Sequence, residues 1–276
     1  LQLILMLLML QQLLLLIFIM HLLLLMLLLL ILLLLILLLA SVVCRAEEPR
    51  PLQVMTDLWP PFRMLKEDGQ LQGLDIDLLD ELSRRTGLRF EVHRAPWARG
   101  LAALEQGTAD MMTGLARTPE RERYIQYLDA PYYACSPRFY ASPALAMRLR
   151  DYAALHELRI GYVLESVYFQ PFDDDQGLKK VGVSNESQLL GMLTRGRIDA
   201  LVGTDCQVDY ALLDPRLAGR IVKAAYQPEA RTELYIGFSR KRLERMPQLA
   251  AALESLLREG WVANAALRYQ PVVAHQ

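Results

Sequence analysis

The chain has 276 residues, 53% of them hydrophobic, and its 30 Lys and Arg nearly balance 31 Asp and Glu for a formal net charge of −1. Without a basic excess there is no electrostatic footprint for a nucleic acid held through its phosphates or for a polybasic membrane-surface binder, and the composition excludes collagen-like, low-complexity and disordered classes. The average conceals two unlike pieces. Residues 1–46 carry one charge, Arg45, and no acid, whereas the rest is of ordinary globular composition, long enough for one large domain or two modest ones.

The first piece is a leader. From Leu22 to Ala40 all 19 residues are apolar, and a helix of that length spans roughly 30 Å of hydrocarbon. Small residues follow, and Cys44-Arg45-Ala46 before Glu47-Glu48 reads as a loose small-x-small cleavage site ending at Ala46, which gives an exported mature chain from Glu47. Two features point instead to an uncleaved N-terminal anchor: the apolar stretch exceeds the usual signal core of about 7–15 residues, and no Lys or Arg precedes it. Lipid attachment at Cys44 is disfavoured by the bulky Val43 before it, so Cys44 is read as part of the leader.

In the second piece, Leu52 to Thr56 alternates as a short strand and stops at Trp59-Pro60-Pro61-Phe62, where two prolines remove backbone donors and predict an exposed loop. Leu74, Ile76, Leu78, Leu79 and Leu82 then recur at helical spacing, with Asp75 placed as the cap, Asp77 in the first turn and Gly87 just past the end. Leu88 to Val92 is a second strand, Trp97 to Gln106 a second amphipathic helix closed by Gly107, and Ala109 to Met112 a third apolar run. The same alternation of periods restarts after residue 150: strand Leu158 to Val163, helix Ser187 to Thr194 closed by Gly196, strands Ile198 to Val202 and Arg220 to Ala225. Tyr132 to Ala141 and Glu233 to Ser239 are extended, and Pro247 to Glu259 is a late helix. The expectation is an α/β protein of two tandem lobes joined by a two-strand hinge, with a ligand cleft between them. The boundaries are 1–46 for the leader, 47–137 with 236–276 for lobe 1, and 138–235 for lobe 2.

Metal and nucleophile chemistry find little support. Asp173-Asp174-Asp175 lacks the glycines and distal Glu of a calcium loop and reads as a surface turn. His21, His93, His156 and His275 show no paired ligand spacing, so no metal and no cofactor is expected. There is no G-x-S-x-G, no phosphate loop and no G-x-G-x-x-G opening a helix. Cys135 and Cys206 lie where a disulfide is allowed after export, but their separation does not pair them, and buried free thiols are the ordinary reading.

Several segments together resemble a known family. Thr56-Asp57-Leu58-Trp59-Pro60-Pro61-Phe62, Gly73-Leu74-Asp75-Ile76-Asp77-Leu78, Leu104-Glu105-Gln106-Gly107-Thr108-Ala109-Asp110, Arg117-Thr118-Pro119-Glu120-Arg121 and Ala130-Pro131-Tyr132-Tyr133 stand in the order and spacing of the extracellular solute-binding proteins of family 3. Arg195-Gly196-Arg197-Ile198-Asp199-Ala200 and Leu256-Leu257-Arg258-Glu259-Gly260-Trp261 match the second lobe and the final helices. The resemblance implies a type 2 periplasmic binding protein, a Venus-flytrap fold that captures a small carboxylate-bearing solute, an amino acid or relative, for ABC-type import. It implies a periplasmic monomer whose partners are the ligand and an inner-membrane permease, with no nucleic acid.

The resemblance also implies a site. Arg121 corresponds to the arginine that grips the ligand's α-carboxylate, a task suited to a planar, always-charged fork. Trp59 corresponds to the aromatic over the ligand side chain, Trp97 to a second wall, Gly114 to a backbone carbonyl for the α-amino group, and Ser166 to the second-lobe loop; Asp57 is counted with them. Three positions depart from the pattern. Ala116 stands where a Ser or Thr bonds the ligand, Glu165 replaces a loop glycine, and the lobe 2 carboxylate that pairs with the α-ammonium falls at Thr204 by strict spacing, with Asp205 one position late. No catalytic residue is expected. The enzymatic alternative is a cyclohexadienyl-dehydratase-like lyase acting on prephenate or arogenate with a partly buried Glu165 as general acid, and a ligand-sensing module is a third reading.

Overall fold

The computed structural model describes residues 2–43 and 50–269. The leader forms one helix, α1 (Gln2–Val43), in which Met6–Ile36 is long and apolar enough to cross a membrane. The expected cleavage segment Cys44 to Ala46, with the first mature residue Glu47, lies outside the described residues.

The second unit is built on two sheets. The first lobe opens with β1 (Leu52–Thr56), a short hairpin of β2 (Met64–Leu65) and β3 (Leu71–Gln72), α2 (Leu74–Thr86), β4 (Phe90–Arg94), α3 (Trp97–Gln106), β5 (Met111–Leu115), β6 (Ile125–Tyr127) and β7 (Tyr133–Cys135). The chain then crosses to β8 (Pro137–Ala141), α4 (Pro143–Arg148), β9 (Arg159–Val163), β10 (Lys179–Val183), α5 (Glu186–Thr194), β11 (Ala200–Thr204), α6 (Asp205–Ala211) and β12 (Val222–Lys223). It returns along β13 (Thr232–Ser239) to α7 (Met246–Arg258) and α8 (Trp261–Ala266). The first sheet runs β4-β1-β5-β13-β6 with β7 also on β13, and the second runs β10-β9-β11-β8-β12. β1 lies parallel to β4 and β5, and β9 parallel to β10 and β11, as βαβ crossovers require.

Helix ends follow local chemistry. α2 buries Leu74, Leu78, Leu79 and Leu82 and stops at Gly87, whose φ of 70° is the left-handed conformation that a residue without Cβ adopts freely. Its start differs from expectation: Gly73 is the N-cap, and Asp75 lies inside the helix, fully buried. The double-proline loop also turns inward, leaving Phe62 only 1% exposed in the first-lobe core.

Strand boundaries moved where pairing overrides alternation. β4 starts at Phe90 rather than Leu88, because Phe90 to Arg94 is the stretch in register with Leu52 to Thr56. β11 starts at Ala200 rather than Ile198, since Asp199 is drawn into a bridge with Arg159. The extended run from Tyr132 breaks at Ser136, which exchanges two hydrogen bonds with Asp205: its N–H donates to Oδ1 (2.8 Å) and its carbonyl accepts the Asp205 N–H (2.9 Å).

Both crossings lie side by side. Thr232, Glu233 and Leu234 of β13 pair antiparallel with Cys135, Ala134 and Tyr133 of β7, so the outgoing and returning strands form a two-strand hinge. Beside it, Cys135 and Cys206 form a disulfide with Cα atoms 5.7 Å apart, correcting the free-thiol reading. The two residues meet because the Ser136–Asp205 exchange brings the start of α6 onto β7, a tertiary contact that sequence spacing does not encode.

The cross-link closes 71 residues of sequence, and removing that constraint from the unfolded chain should cost about 2–4 kcal/mol of stability. A Cys135→Ser/Cys206→Ser variant should unfold at lower denaturant than the oxidised parent. An unchanged midpoint in equilibrium unfolding would contradict this.

Candidate functional site

Between the sheets lies a cavity of about 90 Å³, too small for a macromolecule, lined from the first lobe by Asp57, Trp59, Arg63, Trp97, Gly114, Ala116 and Arg121, and from the second by Ser166, Tyr168, Glu186, Thr204 and Gln207 among others. Its first-lobe floor is a buried polar network. Asp75, with no exposure, accepts hydrogen bonds from Arg63 Nη1 (2.6 Å), Thr113 Oγ1 (2.6 Å) and Tyr132 Oη (2.7 Å). Burial, reinforced by the Asp75 charge, holds the Tyr132 hydroxyl well above its ordinary range, so it remains a donor. Arg63 also donates to the carbonyls of Asp57 (3.0 Å) and Thr113 (3.2 Å), and its guanidinium lies 5.2 Å from the Trp59 ring centroid. Trp59 stacks on Phe62 at 4.4 Å. The indole is thus fixed from two sides, and one edge is left on the cavity.

The rim is set by Arg121 at the start of a short helical turn. It is only 5% exposed. Its Nη1 donates to the Ala116 carbonyl (3.0 Å), which also accepts from Tyr127 Oη (3.1 Å). Its Nη2 donates to the Glu165 carbonyl across the cleft, and Trp97 Nε1 donates to the same oxygen at 3.3 Å. Glu165 is the one described non-glycine residue with positive φ, 60°, which is what a side chain placed at a loop-glycine position must adopt. The Asp57 carboxylate is occupied structurally, accepting the N–H groups of Leu58 (2.8 Å) and Trp97 (3.2 Å) and so capping α3.

The second-lobe wall is of a different character. Glu186 opens α5 directly after Asn185, whose side chain accepts the Gln188 N–H and caps the helix. Glu186 is 9% exposed and Gln207 3% exposed. Among the described residues, three buried side-chain atoms lack a hydrogen-bond partner: Glu186 Oε1, Thr204 Oγ1 and Gln207 Oε1. All three residues line this one cavity. Burial alone raises the Glu186 carboxyl from an ordinary 4.5 to about 8. Gly203 makes room for it: a Cβ there would lie 2.5 Å from Glu186 Oε1.

Eight of the nine residues expected at the site, Asp57, Trp59, Trp97, Gly114, Ala116, Arg121, Ser166 and Thr204, line the cavity. Asp205 does not; it bonds the Ser136 and Cys206 N–H groups and lines a wider groove of about 460 Å³ beside the disulfide. Cys135, Cys206 and Asp205 are close enough to resemble a metal cluster, but both sulfurs are bonded to each other. Glu165 is exposed and only its backbone carbonyl reaches the rim, so the partly buried general acid of the enzymatic alternative is not found at that residue. Sequence reasoning missed Arg63, Glu186 and Gln207. Arg63 carried a usable signal, a charge directly after an apolar Pro-Pro-Phe turn; Glu186 and Gln207 looked like ordinary residues in the first turns of helices.

The family model of bacterial extracellular solute-binding proteins, family 3, matches residues 52–270. The histidine-binding periplasmic protein of Salmonella typhimurium is 28% identical over 158 residues, covering 55% of this chain and 60% of that protein. The virulence sensor protein BvgS of Bordetella pertussis is 28% identical over 221 residues, covering 76% of this chain and 17% of that protein. The matches span 27% to 61% of the length of the first three curated relatives. In fold, the chain superposes with a TM-score of 0.71 and 17% identity on an amino acid ABC transporter substrate-binding protein from Streptococcus pneumoniae bound to L-arginine, covering 79% of this chain and 93% of that one.

Two outcomes follow from the geometry. Gly114 has a φ of 73°, and a Cβ there would sit 2.7 Å from Arg63 Nη1, so Gly114→Ala should lose about 1–3 kcal/mol through strain and displacement of the Arg63–Asp75 pair. Thermal unfolding at the wild-type midpoint would refute this. For Glu186 the folded value of about 8 lies above the ordinary 4.5, so between those values the folded state keeps a proton that the unfolded chain has lost. Stability from this group is therefore full below about 4.5 and declines as pH rises to about 8. Glu186→Gln should remove that decline, gaining roughly 3–4 kcal/mol on wild type between about pH 5 and pH 8.5 in denaturant titrations; parallel pH profiles would contradict it.

Proposed function

Because this chain belongs to the bacterial extracellular solute-binding proteins of family 3, we propose that it captures a small carboxylate-bearing solute, an amino acid or a close relative, for an ABC-type permease. The observation that carries this reading is Arg121: a guanidinium, 5% exposed, at the mouth of an interlobe cavity beside Trp97 and opposite a second-lobe loop. A fork of five N–H donors with two directed at carbonyls keeps others for a carboxylate, and in a half-dry cleft such charge-assisted bonds are strong. Trp59 offers an apolar edge to the rest of the ligand. The two-strand hinge supports closure around the solute by rotation of one lobe against the other. The apolar α1 fits either a signal sequence or an anchor and supports our reading of a binding unit that works outside the cytoplasm, which we take to act as a monomer.

A second reading, a ligand-sensing module, is favoured by one observation, the similarity to a virulence sensor protein over 76% of this chain. Both readings require the same capture step and differ in the partner that reads the closed form.

Calorimetry of the binding unit against L-arginine, L-histidine, L-lysine, L-glutamine and L-glutamate tests the proposal. At least one should bind, and Arg121→Ala and Arg121→Lys should each lose about 2–5 kcal/mol of its binding free energy, about 30-fold or more in affinity, because an ammonium does not reproduce the fork. Undiminished binding by Arg121→Ala would remove the carboxylate-clamp assignment. A permease and an ATPase encoded beside this chain would separate transport from sensing.

A further inference from the structure

The lobes are joined by more than the two chain crossings. Cys135 ends β7 of the first sheet, Ser136 carries the chain across, and Cys206 is the second residue of α6. α6 straddles the lobes: Cys206 packs on the first-lobe core, while Val208 is buried in the second-lobe core with Leu189, Ile198 and Leu201. The Cys135–Cys206 disulfide is therefore a third covalent link, beside the crossing at Ser136 and the return into β13. Its reach is short. The two Cα atoms lie 5.7 Å apart, and a disulfide spans Cα separations only up to about 6.8 Å, so α6 has roughly 1 Å in which to leave β7 while the bond lasts. The same turn backs the ligand cavity, because Thr204 and Gln207 line that cavity while Asp205 and Cys206, between them, line the groove of about 460 Å³. Cys135 is 2% exposed and Cys206 half-buried, so a reagent entering the groove meets Cys206 first.

We propose that Cys135–Cys206 is a site of thiol–disulfide exchange with a dithiol, and that its oxidation state sets how far the two lobes separate. The thiolate of the dithiol attacks Cys206 Sγ; the bond to Cys135 breaks, and its electron pair leaves with Cys135 Sγ, which takes up a proton. The second thiol of the reagent attacks the mixed disulfide, freeing Cys206 as a thiol and closing the reagent into a cyclic disulfide. The protein gains two electrons and two protons, and the dithiol loses them. Asp205 has a carboxylate oxygen within 4.8 Å of both sulfurs, and its charge disfavours a thiolate on either cysteine, so the reduced pair rests as thiols. Reduction loosens this junction without dissolving it, since the Ser136–Asp205 exchange of hydrogen bonds still docks α6 on β7. At the mouth, the bonds of Arg121 and Trp97 to the Glu165 carbonyl are left as the opposing contact. Rotations that lift α6 from β7 then become available, and the reduced protein opens further.

Trp97 is a reporter of the mouth, because its indole bond crosses to Glu165, whereas Trp261 opens α8 and does not line the cavity. Full chains in detergent, with Trp97 alone (Trp59→Phe/Trp261→Phe) or Trp261 alone (Trp59→Phe/Trp97→Phe), are compared without solute before and after dithiothreitol, free thiols having first been blocked with iodoacetamide. Reduction should raise the acrylamide quenching constant of Trp97 about twofold or more and leave that of Trp261 unchanged. Iodoacetamide added afterwards should then label both Cys135 and Cys206, and glutathione in place of the dithiol should leave its adduct on Cys206. Cys135→Ser/Cys206→Ser in the Trp97 chain should match the reduced form without reductant. Neutron scattering of the wild-type chain with the detergent matched out should show a larger radius of gyration on reduction, which keeps the test open should a tryptophan variant fail to fold. Resistance to reduction until denaturant unfolds the chain overturns the exchange site, and a glutathione adduct on Cys135 removes Cys206 as the attacked sulfur. Reduction that leaves Trp97 quenching and the radius unchanged overturns the tether, as does a rise shared equally by Trp261, which marks the bond as a support of the whole fold. No solute enters the assay, so these outcomes are separate from the fate of the Arg121 reading.

Discussion

The buried Arg63–Asp75 pair is the contact on which the first lobe's half of the site depends. It joins the double-proline loop, the start of α2, β5 and the residue that leads into the hinge, since Asp75 accepts from Arg63, Thr113 and Tyr132 at once. A buried ion pair gains little net stability over an apolar replacement, because desolvation offsets most of its attraction. Its contribution is geometric. With Nε directed at Asp57 and Nη1 at Asp75 and Thr113, Arg63 is held in place, and the loop carrying Trp59 and the strand turn at Gly114 have to accommodate it. The aromatic edge on the cavity is placed by a charge the ligand need not touch.

The second constraint is how little joins the lobes at the cleft. Arg121 and Trp97 from one side converge on a single carbonyl, Glu165, from the other. That oxygen already engages one arm of the guanidinium, so in the proposed capture lobe-to-lobe contact and ligand would draw on the same donor group. In the proposed capture such a contact would couple closure to occupancy without a separate relay, since one fork would serve both sets of acceptors. At the opposite edge the arrangement is the reverse. The hinge strands, the Ser136–Asp205 exchange and the disulfide hold β7 and the start of α6 together through several independent bonds.

The asymmetry between walls has an energetic reading. Among the described residues, no buried side-chain polar atom of the first lobe lacks a protein partner. The second lobe leaves three oxygens unpartnered on the cavity and carries a carboxyl whose charge burial disfavours. Stability is forgone at this wall, since a buried polar atom without a partner keeps its desolvation cost.

Much of this was legible in the sequence. Periods of 2 and 3.6, glycine stops at Gly87 and Gly107 and a charge-free leader determined an α/β chain behind an apolar helix, because these features act within a few residues of one another. Ordered motifs identified the family and brought eight of nine expected residues to one cavity. Tertiary structure decided the rest. Strand ends at Phe90 and Ala200 followed cross-strand register; Asp75 left its capping role for a buried partner twelve residues away; and Cys135 met Cys206 only through the packing of α6 on the hinge. Glu186 and Gln207 are polar residues near helix starts, where local sequence reads them as solvated. Tertiary packing buries them, with Glu186 Oε1 against Gly203, and burial, which depends on contacts far apart in the chain, is what separates them from ordinary solvated residues at helix starts.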